Sequence, residues 1–232
     1  MKEEWMMENK SSNLNTQTEG LVESVLTQEE QASLTPAKVI EALKEGNKRF
    51  VNGEVTLRNH KEQIRRAAAN QFPKAIVLSC VDSRVPVEDV FDLGIGDIFV
   101  ARVAGNFVNT DILGSMEFAC KASGAKLILV LGHEYCGAVK GAIDAVELGN
   151  ITAMLEKIKP AVNSFPGYER EKASSNAEFV HMVAEKNVQL NVAKIREESP
   201  ILQEMEAAGE IKIIGAMYDM ETGQVNFMEA LS

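Results

Sequence analysis

The sequence predicts an α/β fold, a mostly parallel four-stranded sheet with an added antiparallel edge strand, flanked by helices. Three observations carry this expectation. Two uninterrupted apolar runs of strand length, Ala75-Ile76-Val77-Leu78-Ser79 and Leu127-Ile128-Leu129-Val130-Leu131, read as strands buried on both faces, as in parallel sheets covered by helices. Strand, loop and helix patterns repeat at lengths that suit right-handed crossovers. Both runs also deliver soft ligands just beyond their ends, Cys80 after the first and His133 and Cys136 after the second. The C-terminal ends of parallel strands are where sites form.

Taken in order, residues 1–33 are polar and form a tail or arm ahead of a single domain over 34–232. Trp5, Met6, Met7 and Leu14 are scattered through it, while Leu21, Val22, Val25 and Leu26 recur at helical spacing and predict a docking helix over about 20–32. Thr35-Pro36 opens the first core helix, since Thr caps well and Pro fits the first helical position. Val39, Leu43, Asn47 and Phe50 face inward, and Gly53 stops it. A basic helix is expected over 61–69, a strand over 75–79, and a short helix near 87–91. The second strand spans 97–103 and turns at Ala104-Gly105-Asn106, after which Asp111 is expected to cap a helix with Leu113, Met116, Ala119 and Cys120 on one face. A third strand follows over 126–131, then a helix from about Cys136 to Leu148. The last third reads as helices over 151–163, 175–197 and 200–207, a fourth strand over 211–218, and an antiparallel return over 224–227.

Composition narrows the partners. A net charge of −10 argues against nucleic acid, which needs clustered Lys and Arg. No apolar stretch approaches the roughly 20 residues that cross a bilayer, so no membrane contact is expected. The first residues lack an apolar signal core. A cytoplasmic location is the default expectation, and an exported form trimmed at its N-terminus would read the same. Three cysteines, two of them in a ligand-like pattern, do not suggest a disulfide framework.

Cys80, His133 and Cys136 make a Cys2His set for zinc, one ligand short of a closed tetrahedron, and catalytic zinc sites are those that keep a position open. The separation 133 − 80 = 53 residues suits neighbouring strands and not a compact zinc knuckle. The plainer reading is an inert buried thiol and a satisfied core histidine. His-x-x-Cys placed beside a second strand-end Cys tells against it. Cys120 falls on a buried helix face and reads as core. Asp82 and Arg84 follow the first ligand directly: the carboxylate can accept a hydrogen bond from bound water and the guanidinium can pin it. An Asp-x-Arg elsewhere is usually a surface pair worth at most about 1 kcal/mol. Asp82 has a competing role, swinging onto the metal to give a resting form.

Cys80-Val81-Asp82-Ser83-Arg84, Arg102-Val103-Ala104-Gly105-Asn106 and Gly132-His133-Glu134-Tyr135-Cys136-Gly137 together resemble the β-class carbonic anhydrases, over about 34–230. The resemblance implies an α/β fold assembled as homodimers that often pair into tetramers, with one zinc per chain on Cys80, His133 and Cys136. It implies that Asp82 and Arg84 are the catalytic dyad and that the reaction is reversible hydration of carbon dioxide to bicarbonate. Gln71 matches a glutamine that in plant-like members reaches a neighbouring subunit's site. Phe99 and Phe118 fall where those members line the carbon dioxide pocket, and Gly137 is counted with them as substrate-binding. Without the resemblance Gln71 reads as a loop residue and the two phenylalanines as core.

Members with an inhibitory bicarbonate site match this chain at Arg102 and Tyr218 but carry Trp at the position of Val77, so that site is not expected here. No proton shuttle is assignable, since His133 is a ligand and His60 and His181 have no reason in the sequence to approach the metal. Two alternatives stand beside this reading: hydrolysis of carbonyl sulfide or carbon disulfide on the same scaffold, and a non-catalytic zinc-stabilised or thiol-sensing domain.

Overall fold

The computed structural model describes residues 20–228. The readings made at Trp5, Met6, Met7 and Leu14 lie outside them. The sheet has five strands, β1 (Ala75–Ser79), β2 (Ile98–Arg102), β3 (Leu127–His133), β4 (Lys212–Tyr218) and β5 (Val225–Phe227), in the spatial order β2-β1-β3-β4-β5. β1 to β4 are parallel and β5 returns antiparallel along β4, as the sequence predicts.

Alternation along the central strands divides the apolar residues between two layers. Ile76, Leu78, Ile128, Val130 and Ile213 face one core, and Ala75, Val77, Leu127, Leu129, Leu131 and Ile214 face the other. Helices α1 (Gln28–Ala32), α2 (Pro36–Asn52), α3 (His60–Ala67) and α4 (Val87–Val90) precede β2, and the second core rests on Val39 and Leu43 of α2 with Val87 and Val90 of α4. The first core is covered by α5 (Thr110–Glu117), α6 (Gly137–Ile143), α7 (Gly149–Leu155), α8 (Lys159–Val162), α9 (Ala177–Glu198) and α10 (Pro200–Ala207). Each fully buried Leu or Ile in these layers contributes about 1.5–3 kcal/mol. α9 lies close on the sheet because β3 and β4 present Gly132 and Gly215 to it: a Cβ on either would stand 2.5 Å from a methyl of Val188.

The expected helix over 20–32 is shortened to α1. Residues before it are extended, because Val22 pairs with the 57–59 segment, donating to Leu57 O (2.8 Å) and accepting from Asn59 N–H (3.0 Å). Thr27 then begins α1 with a reciprocal Thr27–Glu30 capping box. Buried Gln31 ties the segment down by donating to Pro73 O (2.7 Å) and Ser123 O (2.8 Å). Asn109, not Asp111, caps α5: its side chain accepts from Ile112 N–H at 2.9 Å, which leaves Asp111 in the first turn, where a carboxylate suits the helix dipole. α5 continues as a π-helical turn, Phe118–Ala122. The helices expected over 136–148 and 151–163 are broken into α6, α7 and α8. Ala145 adopts a left-handed φ of 52° after α6, and Pro160 sits in the first turn of α8, where its missing N–H costs nothing.

Candidate metal centre

β1 and β3 are neighbours, paired so that Ser79 lies opposite Leu131. The chain leaves β1 toward β2 on one side, and β3 lies on the other, so their C-terminal ends border the crevice where the topology switches direction. Cys80 follows β1 directly and His133 is the last residue of β3. Tyr135, in a left-handed conformation (φ 54°), turns the chain sharply enough that Cys136 caps α6 beside them. The ligand atoms of Cys80, His133 and Cys136 all lie within 4.8 Å of one another, and all three residues are buried. Cys120 does not join them. It sits in the first core, where burial pushes its thiol up to about 12.

The donor set fits a metal ion. His133 Nδ1 lies 2.8 Å from Glu134 O, and since a carbonyl can only accept, the ring proton is on Nδ1. Nε2 therefore turns a lone pair toward the two sulfurs, buried and with no hydrogen-bond partner among the described residues. The Cys80 thiol is acidified, first by the Cys136 thiol donating to it and then, against the cost of burial, by the Gly105 N–H. Cys136 is raised in turn, chiefly because its own proton is engaged on Cys80. Cys80 is thus the more acidic of the two thiols and the readier to meet a cation.

Asp82 is fixed at the edge of this cluster. Its Oδ1 accepts from Arg84 N (3.0 Å) and Nε (2.9 Å), its Oδ2 accepts from Arg84 Nη2 (2.8 Å), and Oδ2 stands 4.0 Å from His133 Nε2. The Arg84 guanidinium holds this carboxyl far below the usual carboxylate range, so it is ionised at any working pH. Arg102 donates to Cys80 O (2.8 Å) and Asp82 O (2.6 Å), clamping the loop that carries both residues.

The other residues singled out in the sequence are placed differently. Gly137 follows Cys136 at the start of α6, and a Cβ there would meet nothing within 4 Å. Phe99 and Phe118 pair with each other, ring centroids 6.0 Å apart, in an open groove of ≈ 780 Å³ along β2 whose lining includes none of the three ligands. Gln71 is exposed in the loop before β1. Val77 is fully buried in β1, and Tyr218 is buried at the end of β4. His181, on α9, places Nδ1 3.4 Å from Glu134 Oε1, next in sequence to a ligand, a proximity that local patterning does not announce.

Two residues that support the cluster through Gly105, Asn187 and Asn191, escape a motif-based reading. Gly105 N–H donates to Cys80 Sγ (3.3 Å), Asn187 of α9 donates to Gly105 O (2.8 Å), and Asn191 orients Asn187. The available signal is two amides four residues apart on a helix face otherwise made of Val183, Ala184, Val188 and Val192.

A family model described as carbonic anhydrase matches residues 75–225. Carbonic anhydrase 2 of Mycobacterium tuberculosis (strain CDC 1551 / Oshkosh) is 36% identical over 195 residues, covering 82% of this chain and 91% of that protein. A carbonic anhydrase of Mycolicibacterium smegmatis is 34% identical over 203 residues, covering 84% and 95%. Among solved structures, the β-carbonic anhydrase CafA of Aspergillus fumigatus superposes with a TM-score of 0.67 at 23% identity, over 84% of this chain and 91% of that one. One from work on two tetrameric β-carbonic anhydrases of Sordaria macrospora gives 0.65 at 23% identity, over 84% and 95%.

Proposed function

Since the chain belongs to the β class of the carbonic anhydrases, a family of lyases, we propose that it interconverts carbon dioxide and bicarbonate at one zinc ion per chain, held by Cys80, His133 and Cys136. The observation that carries this is the buried thiol–thiol–imidazole cluster with an unpartnered His133 Nε2, bordered by a carboxylate that Arg84 holds in place. Two sulfurs and an imidazole suit zinc among the common divalent ions. Zinc bound there would supply Lewis acidity that brings the pKa of a water from about 15.7 down toward roughly 7 to 9, less far than an all-histidine site because two thiolates offset its charge.

The protein's own groups do the rest. Asp82, ionised and locked by Arg84, accepts a hydrogen bond from the attacking oxygen and so aims its lone pair. Gly137 leaves space beside Cys136 for a small linear substrate. Phe99 and Phe118 would offer apolar surface to carbon dioxide from the groove along β2, which none of the three ligands lines on this chain. Inhibitory bicarbonate binding is not part of this reading: Val77 is buried in the sheet, and the Arg102 guanidinium is engaged by two carbonyls.

Stopped-flow hydration by the zinc-loaded protein tests the proposal. Acceleration well above buffer is expected, absent in the metal-free protein, with added bicarbonate inhibiting only as product. Parallel assays with carbonyl sulfide and carbon disulfide decide the substrate, and turnover of those without carbon dioxide hydration would refute the reading. A non-catalytic closed site needs a fourth protein ligand, and among the described residues no further Cys, His, Asp or Glu belongs to the cluster. No helix among them is long and apolar enough to cross a membrane.

The working form in this reading is a homodimer or a pair of dimers. β2 is an open sheet edge and Phe118 beside it is 56% exposed, surface that a second copy would cover. Gln71, exposed on its own chain, then reaches the partner's substrate. Light scattering at micromolar concentration should give a dimer or larger species. A monomer would contradict the assembly and remove the role of Gln71.

A further inference from the structure

Asn187 and Asn191 are 2% and 5% exposed on a face of α9 that is otherwise apolar. Amides taken out of water in such a setting need partners, and these two have them in a fixed sense. Val108 N–H can only donate, so Asn191 turns its Oδ1 to it (2.8 Å) and its Nδ2 to Asn187, reaching that residue's O (2.8 Å) and Oδ1 (3.1 Å). Asn187 must then direct its own Nδ2 away, and it donates to Gly105 O at 2.8 Å. The row of amides leaves Gly105 one orientation.

That orientation serves Cys80. Gly105 and Asn106 take left-handed conformations in succession, with φ of 83° and 40°, a backbone that persists only where its surroundings hold it. A Cβ at Gly105 would stand 2.4 Å from Ile158 Cδ1, so the loop is also packed tightly from outside. Held this way, Gly105 N–H points at Cys80 Sγ, 3.3 Å away. Arg102 grips the same cysteine by its carbonyl from the other side.

We propose that Asn187 is a positioning residue of the metal centre, acting through Gly105 to fix the N–H that Cys80 sulfur accepts. The inference rests on the reading of Cys80 as a zinc ligand. Two thiolates give much negative charge to one divalent ion, and an N–H donated to one of them draws some back, keeping the sulfur in place and the ion electrophilic.

Cobalt substitution and chelator competition test this without relying on turnover. In Asn187→Leu, the thiolate-to-cobalt charge-transfer bands should move and metal affinity should fall by roughly 10- to 100-fold. Asn47→Leu is the control, because Asn47 is also a buried amide (5% exposed) but bonds Val90 O and Gly223 O in the other core. It should lower the melting temperature and leave bands and affinity unchanged. Should Asn187→Leu fail to fold, Asn191→Leu removes the donor that orients Asn187 and should shift both readouts in the same direction by less. Folded variants that melt earlier yet keep wild-type bands and affinity would overturn the role of Asn187 while leaving the ligand assignment standing. A wild-type protein that shows no thiolate-to-cobalt band would overturn both.

Discussion

Cys80→Ser and Cys136→Ser are each expected to strip the zinc and abolish carbon dioxide hydration without unfolding the chain. The hydroxyl replaces the thiol with almost no change of shape at positions 4% and 1% exposed, so packing in the first core survives. Its chemistry does not: a serine hydroxyl stays protonated near neutral pH, whereas a cysteine thiol beside a metal ion gives up its proton and binds as thiolate. If a structural zinc site binds with roughly 10–16 kcal/mol over its ligands, one lost thiolate removes about 3 kcal/mol, or on the order of 100-fold in affinity. Cys120→Ser is the matched control, since that thiol is just as buried and belongs to no cluster. Metal analysis of dialysed protein should show about one zinc per chain in wild type and in Cys120→Ser. Full occupancy in both ligand variants would sink the assignment.

The second large effect is expected at Asp82 and Arg84, and it separates binding from rate. Asp82→Asn should keep the zinc, because Asp82 is not counted among its ligands, and should lose roughly 100-fold or more in hydration, the lower range for a positioned proton acceptor. An amide placed there also turns an N–H toward Arg84 or toward the substrate oxygen, where only an acceptor is useful. Arg84→Ala should fail in another way. Asp82 would lose both side-chain bonds that hold it, with Oδ2 only 4.0 Å from His133 Nε2, and the freed carboxylate would move onto the metal and fill its fourth position. X-ray absorption of zinc-loaded Arg84→Ala should show an added carboxylate oxygen with the metal content unchanged. In wild type, Asp82 is expected to stay off the metal near pH ~7 to 8, the range in which a water held by zinc would lose its proton, with any closure confined to lower pH. Wild-type protein at about pH 8 with Asp82 coordinated would overturn the assignment. Equal rates for wild type and Asp82→Asn would remove Asp82 from the mechanism.

Much of this site is legible in the chain because its signals are local. β1 and β3 are continuous apolar runs, the mark of strands buried on both faces, and Cys80, Asp82 and Arg84 or His133 and Cys136 lie within a few residues of their ends. Helix boundaries are less legible where two plausible signals compete. Asn109 and Asp111 can both cap, and the choice went to the residue whose extended backbone precedes the first turn. Leu21, Val22, Val25 and Leu26 keep a helical period, yet pairing of Val22 with Leu57 and Asn59 overrides it.

The sequence by itself determined the sheet, most of its covering helices and the donor set of the candidate metal centre, because hydrophobic period and ligand chemistry are properties of neighbouring residues. Only the tertiary structure decided how that donor set is held. Arg102 grips the Cys80 loop from 22 residues away, Asn187 reaches Gly105 across 82, and His181 approaches Glu134 from α9. Which atoms meet over such separations depends on strand register and on how closely α9 settles onto Gly132 and Gly215, and no local pattern encodes either.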